Sequence, residues 1–151
     1  MIGFEPHDHR ECIASCVTRA EADCAKRGAK FTPIRKRVLE ILLERHRAMG
    51  AYDILDVLRA EGQPAQPPVA YRALEFLVAQ GFAHKIERLN AFVACGHPSG
   101  ECAPAFLICR GCEKVAEAQA IPNDGALGAS AMAVGFIIER AVVEAVGLCP
   151  D

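Results

Sequence analysis

The sequence contains no apolar stretch long enough to cross a membrane and no tract of low complexity. Its apolar runs, such as Ala141–Val143 between Arg140 and Glu144, fall far short of the ~20 residues that a membrane helix needs. No basic segment followed by an apolar one opens the chain, so we expect no signal peptide and a cytoplasmic protein. With 52% hydrophobic and 24% charged residues among 151, the chain is expected to be globular, with one domain or two small ones.

A strong net charge is also lacking, but the charges are unevenly placed. The formal net charge is −2, yet residues 1–90 carry 14 Lys+Arg against 12 Asp+Glu, and residues 91–151 carry 3 against 7. Positive charge is concentrated in residues 26–47, at Lys26, Arg27, Lys30, Arg35, Lys36, Arg37, Arg45 and Arg47. This asymmetry is typical of a nucleic-acid-binding unit joined to a separate effector unit, although a solvated basic face gives the same pattern.

Residues 1–94 show helical periodicity followed by a pair of strands. Apolar residues recur at helical spacing in 11–28, in 33–46 after a Thr32 cap, in 51–60 and in 69–80. The proline-rich segment 63–68 is predicted to be a loop. Two short strands, 82–88 and 91–94, indicate a β-hairpin, which we call the wing. Together these elements predict a winged helix-turn-helix, in which the last helix enters the major groove of DNA.

Residues 95–151 have a different pattern, which predicts a small α/β unit. Strands are expected at 104–108 and 114–118, a weak helix at 124–134 and a long strand at 136–146. A unit of about 55 residues has little core of its own, so we expect a homodimer that buries one of its faces. The predicted fold class is therefore α+β, with a winged-helix DNA-binding domain (1–94) and an α/β dimerisation and metal-binding domain (95–151).

Cys109 and Cys112 form a CxxC motif between two predicted strands. Thiols in a reducing compartment more often bind metals or take part in redox chemistry than form disulfides. A tight turn between strands lets two thiolates reach one metal ion at ~2.3 Å, whereas a redox CxxC normally opens a helix. We favour a structural metal site over a redox pair, with Cys149 as the third thiolate. The fourth ligand is missing from the predicted set, so we expect an incomplete site.

A second group of potential metal ligands lies where the two predicted domains join. Its members are His84, Cys95, His97, Cys102 and Glu117. Nitrogen, sulfur and carboxylate ligands together suit zinc, and an ion that bridges two segments makes the site depend on their relative orientation. Taken singly, each residue has an ordinary explanation as an exposed histidine, a small buried thiol or a solvated carboxylate.

Candidate DNA contacts cluster near the start of the fourth predicted helix. Tyr71 and Arg72 lie where a recognition helix meets bases or phosphates, and Arg72 has the geometry to bind guanine with two hydrogen bonds. The ordinary alternative places Tyr71 in the core and Arg72 on a solvated face. Tyr52, Arg35 and Arg37 are weaker candidates for phosphate contacts.

Several motifs carry a resemblance to a known family. They are Phe31-Thr32-Pro33-Ile34-Arg35 with Val38-Leu39, Ala51-Tyr52-Asp53-Ile54-Leu55, Tyr71-Arg72-Ala73-Leu74, Gln80-Gly81-Phe82-Ala83-His84-Lys85 and the CxxC. In combination they resemble the ferric uptake regulator family, most closely its zinc uptake regulator branch. The resemblance covers the chain from about residue 20. It implies a homodimeric repressor that binds double-stranded operator DNA when loaded with Zn²⁺ and controls zinc-uptake genes, with no membrane or small-molecule substrate as partner.

The resemblance also implies two zinc sites. The regulatory site falls on His84, Cys95, Cys102 and Glu117, and the structural site falls on Cys109, Cys112 and Cys149. Cys102 stands where the family has histidine, which leaves His97 as an alternative ligand. The structural site lacks the last of four cysteines, and a water molecule or a ligand from His9, Cys12 or Cys16 would have to complete it.

A third departure from the family lies at the start of the recognition helix. Pro68-Val69-Ala70 stands where the family usually has a threonine before the valine that precedes tyrosine. This change predicts the loss of a helix cap, at a cost of ~1 kcal/mol.

Other classes of protein are compatible with parts of the sequence. A sensor of iron, manganese or peroxide with the same fold would use harder ligands, mostly histidine and carboxylate. A zinc-storage or redox protein would need no DNA contact. An enzyme is the least supported class, because the only nucleophiles near a base are the Cys and His residues already needed as ligands.

Overall fold

The computed structural model, which describes residues 9–45, 47–96, 104–119, 125–139 and 141–150, has an α+β architecture. Its helices are α1 (His9–Arg27), α2 (Pro33–Glu44), α3 (Ala51–Ala60), α4 (Pro67–Ala79) and α5 (Gly125–Ala133). Its strands are β1 (Ala83–Ile86), β2 (Ala91–Ala94), β3 (Pro104–Cys109), β4 (Val115–Gln119) and β5 (Val143–Gly147). In the described part, no helix is both long and apolar enough to cross a membrane.

One apolar core joins the first four helices to the wing. Its most buried large side chains include Ile41, Leu42, Ile54, Leu55, Leu58, Leu74 and Leu77. α2 begins at Pro33 as predicted, because the Thr32 side-chain oxygen accepts a hydrogen bond from the N–H of Arg35 at 3.4 Å. Apolar residues spaced three and four apart then turn one face of each helix into this core.

α4 begins earlier than the sequence pattern indicated. Pro67 and Pro68 occupy its first positions, where a residue without an N–H loses no helical hydrogen bond. Gln66 is the N-cap, and its side chain makes no capping hydrogen bond. Val69 therefore lies inside the first turn. The helix has no side-chain cap, and the energetic cost of the missing threonine stays a prediction.

The wing is a two-stranded antiparallel hairpin in which Ala83 pairs with Ala94 and Ile86 with Ala91. The first strand is shorter than predicted, because residues 87–89 form a 3-10 turn. Asn90 closes this turn in the left-handed conformation, with φ of 46°. Asparagine tolerates that conformation better than most residues with side chains.

A three-stranded sheet in the order β4-β3-β5 forms most of the second half. β3 is antiparallel to β4 and parallel to β5. Phe106 in β3 pairs with Glu117 on one side and with Glu144 on the other. Residues paired directly across neighbouring strands point to the same face, so these three side chains form one row across the sheet.

The long strand predicted over 136–146 is wrong for most of its length. β5 covers only Val143–Gly147, and residues 136–139 and 141–142 pair with no strand among the described residues. β3 begins at Pro104, which has no N–H donor, and offers only residues 105–109 as partners to β5. Within the described ranges, no strand lies beside the segment that precedes β5, and Phe136 and Ile137 are exposed.

The wing packs against this sheet through a second, smaller core. The buried residues of that core are Ile86 from β1, Phe106 and Ile108 from β3, and Val115 from β4. The segment between α2 and α3 links the two parts as well, because Met49 forms a backbone bridge with Phe92 in the wing and Arg47 forms one with Lys114, just before β4. The predicted domain boundary between residues 94 and 95 falls directly after β2 and stays a prediction.

Candidate metal centre

Three of the predicted regulatory ligands come together between the wing and the sheet. The ligand atoms of His84, Cys95 and Glu117 all lie within 4.8 Å of one another. His84 Nε2 is 3.6 Å from Glu117 Oε1, and Cys95 Sγ is 4.0 Å from the same oxygen. β1, the residue after β2, and β4 contribute one ligand each, so the cluster joins the two halves of the chain.

Glu117 supplies a buried carboxylate to this cluster, with only 8% of its surface exposed. Its Oε2 accepts a hydrogen bond from the N–H of Gly96 at 2.8 Å, while its Oε1 faces His84 and Cys95. An ionised carboxylate is costly to bury unless it is paired or coordinates a cation. The position of Glu117 therefore favours a positively charged partner.

His84 responds to the same environment. Burial disfavours its charged imidazolium, but hydrogen bonds with Cys95 and Glu117 outweigh burial and raise the pKa of His84 to about 9. The imidazole also packs against the ring of Phe106, with centroids 5.6 Å apart. Zinc binds neutral imidazoles and deprotonated thiols. The raised pKa of His84 therefore means that zinc has to displace a proton from this cluster when it binds.

The donor set of this cluster fits zinc, because imidazole nitrogen, thiolate sulfur and carboxylate oxygen are all zinc ligands. Three ligands leave one position of a tetrahedral site. The two candidates for that position, Cys102 and His97, lie outside the described residues.

The second cluster brings three predicted thiols together at one end of the sheet. The sulfur atoms of Cys109, Cys112 and Cys149 lie within 4.8 Å of one another, and those of Cys112 and Cys149 are 3.6 Å apart. Parallel pairing of β3 with β5 places Cys109 opposite Gly147, which brings Cys149 to the turn that carries the CxxC. A strand, β4, follows this turn, and a helix after the CxxC would have favoured redox chemistry.

Backbone donors prepare Cys109 for metal binding. Its sulfur accepts hydrogen bonds from the N–H groups of Gly111 and Cys149, each at 3.4 Å. With the N–H of Cys112, these donors lower the pKa of the Cys109 thiol to about 6. The thiolate is the form that binds metal, so Cys109 is ready to act as a ligand at neutral pH.

The remaining described cysteines lie on α1, outside both clusters. Cys24 is buried in the main core. Burial and the neighbouring Cys12 raise the pKa of Cys16 to about 11, which keeps that thiol protonated at neutral pH. Cys12 and Cys16 are half-buried and belong to no group of three metal-ligating side chains within the described residues.

The candidate DNA contacts on α3 and α4 are exposed. Tyr71 exposes 39% of its surface and Tyr52 exposes 63%. Arg72 is also exposed, on the first turns of α4. Tyr71 is therefore not a core residue in this structure, in contrast to the ordinary alternative.

Arg35 connects α2 to α4. Its guanidinium lies over the ring of Phe76, 3.9 Å from the centroid, and it donates a hydrogen bond to the carbonyl of Lys30 at 2.5 Å. A cation stacked on an aromatic ring contributes to packing as well as charge.

Arg37 has carboxylate partners on two helices. It donates to Glu40 at 3.1 Å, to Glu44 at 2.8 Å and to both carboxylate oxygens of Glu61, where its Nε lies 3.1 and 3.0 Å from Oε1 and Oε2. A phosphate contact by Arg37 would have to break these ion pairs. Sequence spacing gave no indication of the pair with Glu61, which is 24 residues away.

The structure also identifies a residue that the sequence analysis missed. The Glu144 carboxylate accepts hydrogen bonds from the N–H groups of Glu87, at 2.9 Å, and Arg88, at 3.3 Å, in the wing. In the sequence, an acidic residue within a predicted strand looks like a solvated one, so the sequence carried no signal for this contact.

Comparisons with known proteins agree on one group of relatives, although no protein-family model matches the chain. The zinc uptake regulation protein of Escherichia coli (strain K12) is 39% identical over 139 residues, which are 88% of this chain and 78% of that protein. A solved structure of a zinc uptake regulator in complex with zinc and DNA is 37% identical and has a TM-score of 0.82. That comparison covers 96% of this chain and 95% of the other.

Solved structures of XcZur in a holo and an apo form allow two arrangements of a similar chain to be compared. Its holo form is 41% identical and has a TM-score of 0.77 over 90% of this chain. Its apo form is 40% identical but has a TM-score of only 0.53 over 91% of this chain, and each comparison covers 95% of the XcZur chain. The sequence identities are nearly equal, so the difference lies in the arrangement of the chain, which here is more similar to the holo form.

Proposed function

Because the chain belongs to the zinc uptake regulator branch of the ferric uptake regulator family, we propose that it is a zinc-responsive transcriptional repressor. A zinc-loaded homodimer binds double-stranded operator DNA, controls zinc-uptake genes and leaves the operator when zinc is scarce. The observation that carries this proposal is the His84, Cys95 and Glu117 cluster, which joins the wing to the sheet. The similar structure of a zinc uptake regulator in complex with zinc and DNA also supports this proposal.

Regulatory zinc is assigned to His84, Cys95 and Glu117, with Cys102 or His97 as the fourth ligand. Bound zinc supplies a cation that several anionic and neutral donors can share. The chain's own groups prepare the site, since the N–H of Gly96 orients the Glu117 carboxylate. The donors come from both halves of the chain. An ion bound to all of them would therefore restrain the wing relative to the sheet.

Operator recognition in this proposal depends on two copies of α4. A helix-turn-helix dimer places its recognition helices about one turn of DNA apart, roughly 34–36 Å. Tyr71 and Arg72 contact the major groove, and Tyr52 and Arg35 contact phosphates. A tenfold change in operator affinity requires only ~1.4 kcal/mol, so a modest change in wing orientation is enough to switch binding.

A second, structural zinc ion is assigned to Cys109, Cys112 and Cys149. The low pKa of Cys109 and the mutual distances of the three sulfur atoms support this assignment. The protein acts in the cytoplasm, where reducing conditions keep such cysteines as thiols.

Replacing Cys95 with serine tests the regulatory site. We expect Cys95→Ser to abolish zinc-dependent operator binding, because the cluster loses its thiolate, while the dimer stays folded. A gel-shift titration of operator DNA at increasing zinc measures the effect, with circular dichroism as the check on folding. Cys12→Ser is the matched control, since Cys12 lies outside both clusters, and it should respond to zinc like the wild type.

An unchanged zinc response in Cys95→Ser would overturn the assignment of the regulatory site. Metal analysis of protein purified without chelator tests the choice of metal. Iron or manganese in place of zinc would favour a sensor of another metal, although the thiol in the cluster favours zinc.

A further inference from the structure

Glu144 joins the last strand of the sheet to the tip of the wing. Its Oε1 accepts the N–H of Glu87 at 2.9 Å, and its Oε2 accepts the N–H of Arg88 at 3.3 Å. These partners are 57 and 56 residues away in the chain and belong to the other half of the molecule. The contact is therefore a connection between the two halves that contains no predicted metal ligand.

Helical geometry explains why the wing offers two donors at this point. Residues Glu87–Leu89 form a 3-10 turn, and the first N–H groups of such a turn have no partner within it. One carboxylate can accept both, and hydrogen bonds to a charged acceptor are stronger than neutral ones. The side chain of Glu87 does not compete for them, since its Oε2 lies 3.6 Å from Lys85 Nζ.

Sheet register explains why Glu144 reaches the wing. Glu117, Phe106 and Glu144 occupy one row across β4, β3 and β5. With a strand spacing of about 4.8 Å, the two carboxylate-bearing positions lie roughly 10 Å apart on the same face. Glu117 faces the metal cluster, Phe106 packs in the small core with Ile86, and Glu144 holds the wing tip.

Burial within β5 supports a specific role for this side chain. Glu144 is half-buried, whereas every other residue of the strand, including Val143 and Val146, is exposed. A merely solvated glutamate would be expected to be the most exposed residue of such a strand.

We propose that Glu144 is a positioning residue that fixes the wing tip to the sheet without any contribution from metal. Besides the apolar contact of Ile86 with Phe106, the wing then has two polar attachments to the row, one through Glu144 and one through the regulatory cluster. The first favours the DNA-binding orientation before zinc binds, and the second completes it. The consequence for DNA rests on the proposed function, whereas the attachment itself does not.

Amide exchange in the full-length, zinc-loaded protein tests the attachment directly. In Glu144→Ala we expect the amide protons of Glu87 and Arg88 to exchange about tenfold faster than in the wild type and their resonances to shift. Glu144→Gln, which keeps one acceptor oxygen and the size of the side chain, should give an intermediate result. Unchanged exchange at both amides in Glu144→Ala and Glu144→Gln would overturn the proposal.

Operator binding at saturating zinc tests the positioning role. We expect Glu144→Ala to bind operator about threefold to tenfold more weakly and to need more zinc for half-maximal binding, with an unchanged melting temperature. Glu139→Gln, which alters an exposed carboxylate in the loop before β5, is the matched control and should behave like the wild type.

Operator affinity in Glu144→Ala equal to that of the control, or a loss fully explained by a lower melting temperature in both Glu144 variants, would also overturn the positioning role. If the wild type itself shows no zinc-dependent operator binding, the proposed regulator function fails. The amide measurement still decides in that case whether Glu144 holds the wing.

Discussion

Arg72 and Arg37 show how differently two arginines are used in one helical unit. Arg72 is exposed on the first turns of α4, whereas Arg37 is bound by three carboxylates. Arginine recognises guanine through two parallel hydrogen bonds, which requires a guanidinium that can leave its present surroundings at little cost. By this criterion Arg72 is the better candidate for reading a base.

Replacing Arg72 with alanine should therefore reduce operator affinity by about 1 to 3 kcal/mol and affect random DNA much less. Fluorescence anisotropy with operator and scrambled duplexes at one salt concentration measures both losses. Equal losses on the two duplexes would reassign Arg72 to a phosphate contact, because phosphates carry no sequence information.

At the residue scale, the sequence was informative where chemistry alone limits the choices. His84, Cys95 and Glu117 were identifiable as candidate ligands, because few residue types bind zinc. Partnerships set by tertiary packing were not identifiable in the same way. Glu61 and Glu144 are ordinary acidic residues in the sequence, and only the fold brings them to Arg37 and to the wing.

At the scale of elements, helices were predicted better than strands. The start of α2 depends on a local cap at Thr32, and α3 has the predicted bounds, because their signals lie within a few residues. β5 is shorter than predicted because its length is set by the partner strand β3, which the local sequence does not reveal. The start of α4 was misjudged because adjacent prolines resemble a loop but also suit a first helical turn.

Contacts between elements give a pH-dependent prediction. Hydrogen bonds from Arg37 on α2 lower the pKa of Glu61, at the end of α3, below its ordinary value of 4.5. A lowered folded pKa stabilises the protein above the unfolded pKa, and this contribution disappears as the pH falls through the folded value.

We therefore expect wild type to be more stable than Glu61→Gln at pH 7, by at most about 1 kcal/mol because the pair is exposed. The difference should shrink as the pH falls below about 4.5. Urea unfolding at several pH values measures it, and Glu75→Gln, at an exposed position of α4, is the control. A difference that grows as the pH falls would contradict the assigned ion pair.

At the scale of the whole molecule, the second half presents a large apolar surface. Its exposed members include Leu127, Met132, Val134, Phe136 and Ile137, and Ile137 exposes 83% of its surface. A groove of about 420 Å³ between α5 and the segment before β5 is part of this surface. Exposed apolar patches of this kind mark association sites, which supports the homodimer in the proposed function.

A charge placed on this surface should separate the two copies. We expect Ile137→Glu to shift the protein to monomer in analytical ultracentrifugation and to reduce operator binding by far more than tenfold, since a single half-site loses most of the affinity. Ala60→Glu adds the same charge at the exposed end of α3, away from this surface, and should remain dimeric. Dimeric Ile137→Glu would exclude this surface as the interface.

The parallel pairing of β5 with β3 also sets an order of events during biosynthesis. The helical core of residues 9–94 is complete before the ribosome has produced β5, and segments made first generally fold first. Glu144 and Cys149 arrive last, so the wing attachment and the thiol cluster can close only when the final strand is inserted beside the middle one. The DNA-binding unit can therefore fold before the contacts that fix its orientation have formed.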